Sequence, residues 1–143
     1  MLISTKGRYA LRVLIDMAEH QADGYVPLKE IAQRQEISEK YMETIVKILV
    51  NNGILTGLRG KGGGSRLSIS QDQFTIDSIL RLTEGSLSPV ACLEAEAAPC
   101  AKMSTCRTYD LWQGLDKVIR EYLEKYTIAD LMQMGDPGND YII

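Results

Sequence analysis

The chain has 143 residues, 45% of them hydrophobic and 24% charged, which suits one soluble globular domain, or one domain with an added dimerising element. No apolar run is long enough to span a bilayer, and the start MLISTKGRYALRVLI lacks the separate apolar core and cleavage site of a secretory leader, so a cytoplasmic protein without membrane contact is expected. The net charge of −3 is unevenly spread: residues 1–66 hold ten Lys/Arg against seven Asp/Glu, and residues 67–143 hold six against twelve, so an acidic chain carries a basic half able to meet an anionic partner.

Ser4 can cap a first helix running from Thr5 to about Gln21, with Tyr9, Ala10, Val13, Leu14, Met17 and Ala18 as its inner stripe. Lys6, Arg8 and Arg12 crowd the start of that helix, where the dipole disfavours positive charge. That cost suggests a task for them, and phosphate contact is the obvious one. His20, the only histidine, is expected at the surface. Asp23-Gly24 turns the chain, and Pro27 precedes a short helix over 28–35 whose Leu28, Ile31 and Ala32 can face a core.

Glu36-Ile37 leads into a second capped helix. Ser38 is its N-cap and Glu39 suits its positive end, while Tyr41, Ile45, Ile48 and Leu49 recur at helical spacing. Asn52-Gly53 stops it. Two helices joined by so short a turn make a helix-turn-helix, with the second as the reader. Its outward side chains include Glu39, Lys40, Glu43, Thr44 and Lys47. Carboxylates there can accept from cytosine N4, and Thr and Lys suit base edges or phosphates.

A short strand over 54–58 follows. Arg59-Gly60-Lys61-Gly62-Gly63-Gly64-Ser65-Arg66 reads as a bare basic loop, and the alternation in Leu67-Ser68-Ile69-Ser70 as the returning strand. A helix followed by a hairpin with a cationic tip is the plan of a winged helix. The fold class expected is therefore mainly α with a small β wing. A nucleotide-binding loop is excluded, because GxxxxGK[ST] is absent and the glycines lead into a strand. The expected DNA-binding set is Lys6, Arg8, Ser38, Glu39, Lys40, Tyr41, Glu43, Thr44, Lys47, Arg59, Gly60, Lys61, Gly62 and Arg66.

Thr75 caps a helix that ends at about Glu84, before Gly85. Residues 86–106 are rich in Ala, Ser and Pro and contain all three cysteines. A long helix is expected from about Thr105 to Tyr126. In it Leu111 or Trp112, Leu115, Val118 or Ile119, Tyr122 and Tyr126 recur at three and four residues, as a two-helix seam requires. Trp112, Leu115, Ile119 and Tyr122 are the expected dimer contacts. Thr127 can cap a last helix over 128–134, which Gly135-Asp136-Pro137-Gly138 breaks. Three units result: 1–85 for DNA, 86–106 for the cysteines, and 107–143 for dimerisation and the tail.

Cys92, Cys100 and Cys106 are spaced too widely for the paired CxxC motifs of a zinc ribbon. Three thiolates could hold a [2Fe–2S] cluster if a fourth ligand came from elsewhere. They could equally form a redox pair or be spare thiols. A cysteine-nucleophile enzyme is not indicated, because no histidine lies nearby.

With these parts assembled, the chain resembles the bacterial family of winged-helix regulators that includes the iron–sulfur regulator IscR, the nitric-oxide sensor NsrR and the cysteine-metabolism repressor CymR. The stretches Ser4–Ala10, Pro27–Ala32, Ile37–Glu43 and Leu58–Gly64 carry the resemblance. It implies a homodimer with the long helix crossing between subunits, and two winged helices on successive major grooves of a pseudo-palindromic operator. It also implies that Glu43 and its neighbours read bases and that Arg59 enters the minor groove. The three cysteines resemble the cluster-binding branch and imply a [2Fe–2S] cluster as cofactor. The histidine of the IscR pattern is replaced by Tyr109 and the acidic ligand of the NsrR pattern by Arg8. Asp110, Tyr109, Glu94 and Glu96 are nearby substitutes. Glu84–Val90 and the tail Tyr141-Ile142-Ile143 resemble the CymR branch instead, which implies control by a cysteine-synthesis enzyme and by thiol oxidation. A third reading is a redox or metal-handling protein that uses the winged helix for protein contacts.

Overall fold

The computed structural model describes residues 3–21, 24–60 and 63–135. Asp23, Lys61, Gly62, the Asp136-Pro137-Gly138 break and the tail Tyr141-Ile142-Ile143 lie outside the described residues. Helix α1 spans Thr5–His20, α2 Leu28–Gln35 and α3 Glu39–Asn51. Ser4 and Ser38 cap α1 and α3 as expected, accepting from the N–H groups of Gly7 and Tyr41. Between α2 and α3 the turn is made by Glu36, which takes the left-handed conformation (φ 55°). Ile37 drops into the core beside it. Ala10, Val13, Leu14, Ile31, Met42, Ile45 and Leu49 meet there almost wholly shielded from water. Each such Val, Leu, Ile or Met side chain contributes about 1.5–3 kcal/mol by leaving solvent. Val46 is buried with them, while Tyr41 and Ile48 are only half-buried, so the inner face of α3 is turned slightly from the expected one.

Strands β1 (Leu55–Leu58) and β2 (Gly64–Leu67) pair antiparallel, Leu55 opposite Leu67 and Leu58 opposite Gly64. The returning strand therefore starts three residues earlier than expected, at Gly64. The cause is a second partner. Ser65 exchanges hydrogen bonds of 2.8 and 2.9 Å with Val26 while it pairs with β1. Gly64 passes so close to that segment that a Cβ would stand 2.3 Å from the Val26 carbonyl oxygen.

Helix α4 spans Ile76–Glu84, capped by Thr75. Short 3-10 turns follow at Ala91–Leu93 and Met103–Thr105. Helix α5 spans Tyr109–Glu124, shorter than expected at both ends. At its start, Cys106 is extended after the second turn. At its end, the Tyr126 carbonyl leaves the helix to accept from Ile76 N–H at 2.9 Å. Helix α6 (Ile128–Met134) then returns to α1, placing Ile128 in the same core. Thr127 and Asp130 close its capping box. Among the described residues no helix is long and apolar enough to cross a membrane.

Candidate DNA-binding surface

With Met42, Ile45, Val46 and Leu49 turned inward, α3 must present its other side. Glu39, Lys40, Glu43, Thr44 and Lys47 are all exposed along it. The Thr44 hydroxyl donates back to the Lys40 carbonyl at 3.3 Å. A groove of about 610 Å³ separates this helix from the wing, with Glu43 and Lys47 on one wall, Leu58 and Arg59 on the other, and Leu28 below. The exposed face of α3 and the wing thus flank one channel.

Arg59 is exposed and forms no hydrogen bond or ion pair among the described residues, so its guanidinium is free for a ligand. Gly60 and Gly63 close the tip through a 3.0 Å backbone bond. Arg66 is placed differently from expectation. It lies on β2 opposite Thr56, and its guanidinium stacks over the Tyr25 ring at 5.1 Å.

The start of α1 adjoins the start of α3. Tyr9 meets Tyr41 edge-on at 5.7 Å, and Thr5, Tyr9, Ser38 and Tyr41 share one shallow hollow. Arg8 is exposed, with Nη2 donating to the Thr5 hydroxyl at 3.1 Å, and Lys6 is half-buried. Arg12 is exposed but already partnered within the chain: it sits over Tyr9 at 5.0 Å and donates to the side chain and carbonyl of Gln35.

A polar network missed in the sequence fixes this face from behind. Asp16, on the inner stripe of α1, is 3% exposed. It accepts from Arg34 at 2.6–3.1 Å and from Gln35 at 2.8 Å, tying α1 to α2. Burial pushes its carboxyl upward, but the hydrogen bonds from Arg34 and Gln35 outweigh that and hold it below the ordinary range. His20 Nδ1 lies 2.7 Å from the Asp16 carbonyl oxygen, with much of the ring exposed. An aspartate at an inward position was the available signal, since a buried charge demands partners.

The three thiols are free: Cys92 is half-buried on the first 3-10 turn, and Cys100 and Cys106 are exposed. Cys106 is hydrogen-bonded to the Thr108 hydroxyl at 3.4 Å. That contact and the backbone N–H groups of Thr108 and Tyr109 hold its thiol below the usual range. No three His, Cys, Asp or Glu side chains among the described residues lie close enough to hold a metal ion. As placed, the thiols do not fit a preformed cluster site.

The four expected seam positions of α5 divide. Leu115 and Tyr122 are exposed, together with Leu111 and Val118, at 41–63% of their full surface. Trp112 and Ile119 are half-buried on the neighbouring flank.

The family model described as "Rrf2: Iron-dependent Transcriptional regulator" matches residues 3–134. The transcriptional regulator CymR of Bacillus subtilis is 38% identical over 95% of this chain and 93% of its own length. The transcriptional regulator IscR of Yersinia pestis is 33% identical over 95% of this chain and 82% of its own. Among solved structures, CymR of B. subtilis, described as its global cysteine regulator, superposes with a TM-score of 0.77 at 36% identity, covering 95% of this chain and 99% of that one. IscR of T. potens gives 0.75 at 28% identity, covering 100% and 94%. These relatives are regulators of transcription, not enzymes. With the winged helix, the exposed reading face and a family match along almost its whole length, the chain belongs to the Rrf2 family of transcriptional regulators.

Proposed function

We propose that the protein is a homodimeric repressor that binds a pseudo-palindromic operator in duplex DNA in the cytoplasm. The observation that carries this reading is the channel between α3 and the wing, lined by Glu43, Lys47 and Arg59, the last without an ion-pair partner among the described residues. α3 enters a major groove, where Glu43 accepts from cytosine N4 and Lys40, Thr44 and Lys47 contact bases or phosphates. Arg59, with Gly60, Lys61 and Gly62 beside it, reaches the minor groove. Residues 1–85 form the DNA-binding unit, and α5 pairs with its twin through Leu111, Leu115, Val118 and Tyr122, flanked by Trp112 and Ile119. Arg59→Ala tests the reading. It should weaken operator binding about tenfold or more without altering the thermal midpoint. Unchanged affinity at moderate salt would remove Arg59 from the interface.

Control lies in residues 86–106. We favour thiol chemistry without a cluster, because Cys92, Cys100 and Cys106 do not converge as placed and the likeness to CymR is strong. A cysteine-synthesis enzyme is the partner this branch implies. The second reading, a [2Fe–2S] cluster on the three cysteines, is favoured by the likeness to IscR and by the three thiols sharing one segment. Anaerobic purification with iron and sulfide analysis separates the two: colourless, iron-free protein is expected, and brown protein with stoichiometric iron would reverse the order.

A further inference from the structure

Helix α1 opens with Lys6 and Arg8 and has no acidic residue in its first turn. Two cations at the positive end of a helix oppose its dipole. The usual remedy is a capping box, in which Glu or Gln at the third helical position accepts from the N-cap N–H. Helix α6 has one, with Asp130 in that place. In α1 the third position is Gly7, which has no side chain, and the carboxylate arrives from another helix.

Glu84, the last residue of α4, supplies it. Its Oε1 accepts from Ser4 N–H at 3.1 Å and from the Ser4 hydroxyl at 2.7 Å. The same hydroxyl accepts from Gly7 N–H at 3.1 Å. Three groups are thus aligned in series, ending on an anion, and the O–H···O bond is near the short range of charge-assisted pairs. A Cβ on Gly7 would stand 2.3 Å from that Oε1, so glycine here makes room for the incoming carboxylate. Glu84 forms no ion pair with Lys6 or Arg8, and neither cation has an ion-pair partner among the described residues. The negative charge satisfies the helix end and leaves both cations available.

We propose that Glu84 is a positioning residue for DNA binding: through Ser4 it holds the first turn of α1 so that Lys6 and Arg8 meet phosphate beside α3. The inference rests on the DNA-binding reading above and extends it to a residue that touches no DNA.

The test is fluorescence anisotropy with a mixed-sequence DNA duplex over a series of salt concentrations, because the phosphate contribution is independent of sequence. Glu84→Ala should weaken binding about tenfold and flatten the salt dependence by roughly one phosphate contact, as Lys6→Ala should. The double variant should lose less than the sum of the two. Glu84→Gln keeps an acceptor oxygen and should retain most of the wild-type slope. A Glu84→Ala protein with a lower thermal midpoint but the wild-type slope would overturn the proposal, since the bond would then serve stability alone. Should Glu84→Ala fail to fold, Ser4→Ala removes the 2.7 Å bond and gives the same reading, and an unchanged slope there is equally decisive against. Arg59→Ala is the control. If it weakens binding while Glu84→Ala does not, this inference alone falls; if neither it nor Lys6→Ala matters, the DNA-binding reading falls with it.

Discussion

Between Ala10 and Leu87 the chain gathers most of its apolar side chains into one shared core, leaving Val50, Leu58 and Ile69 exposed, whereas from Ser88 to Thr127 no residue is buried. Helices α1 to α4 each find a partner within the chain. Helix α5 has two apolar flanks and satisfies only one. Leu123 leans on the core, while Leu111, Leu115, Val118 and Tyr122 face outward at spacings of four, three and four. A stripe of that kind on an otherwise soluble helix marks an interface. The first region therefore folds by contacts the single chain supplies, and in the dimer proposed above the second takes contacts from a twin.

Substitutions in the two regions should fail in different ways. Leu14 is fully buried, so Leu14→Ala should lower unfolding free energy by about 2–5 kcal/mol. Denaturant melts should show that loss at every protein concentration. Val118→Asp removes little from the single subunit but puts a charge into the seam. Sedimentation should find a dimer for the parent and a monomer for the variant, and the parent's thermal midpoint should rise with protein concentration while the variant's stays flat. A dimer that survives Val118→Asp would move the interface elsewhere and leave the outward stripe unexplained.

Asp16 sharpens the comparison within the first region, because it is a charge buried where the rest is apolar. Its carboxyl is held low by Arg34 and Gln35 against the effect of burial. The stability it contributes is therefore complete at neutral pH and as far down as the ordinary carboxylate value. It is lost as pH falls from that value through the lowered folded one. Asp16→Asn should cost on the order of 1–3 kcal/mol at neutral pH and flatten the acid limb of the stability profile. An acid limb identical to the parent's would assign that limb to other carboxylates.

The same contrast explains what could be read from residues alone. Caps such as Ser4, Ser38, Thr75 and Thr127 are local, and each stands where the side-chain bond forms. The exposed face of α3 was legible too, since helical spacing separates Lys40, Glu43 and Lys47 from the core. Non-local partners were not legible. Val26 captures Ser65 and lengthens β2 backward, and Arg66 is drawn onto Tyr25, away from the tip. Glu84 reaches Ser4 across eighty positions, a distance at which no spacing rule operates. On α5 periodicity left two seams open, because Leu111 and Trp112, like Val118 and Ile119, are neighbours. Only the packing of Leu123 against the core decides which flank faces out.

The smallest effects on the fold are expected from the cysteines, and their value lies in the pattern. Cys92 is half-buried and Cys100 and Cys106 are exposed, so Cys→Ser at each should leave the thermal midpoint of reduced protein unchanged. DNA binding after exposure to hydrogen peroxide is the informative measurement. If two thiols join in a disulfide, two electrons pass to the peroxide, and two of the three variants should lose the response while the third keeps it. Cys106 should be one of the two, because Thr108 and the first N–H groups of α5 favour its thiolate, the attacking form. A shared cluster predicts otherwise. An iron missing one thiolate is under-coordinated whichever cysteine is lost, so all three variants should lose visible absorption alike. The thiols are not gathered as placed, so a cluster would also have to draw residues 92–106 together, and a closure of that length is a modest entropic cost. Three equal variants would therefore show that the segment rearranges around iron, and would extend the comparison above: the region without a core of its own would be completed by a metal as well as by a second subunit.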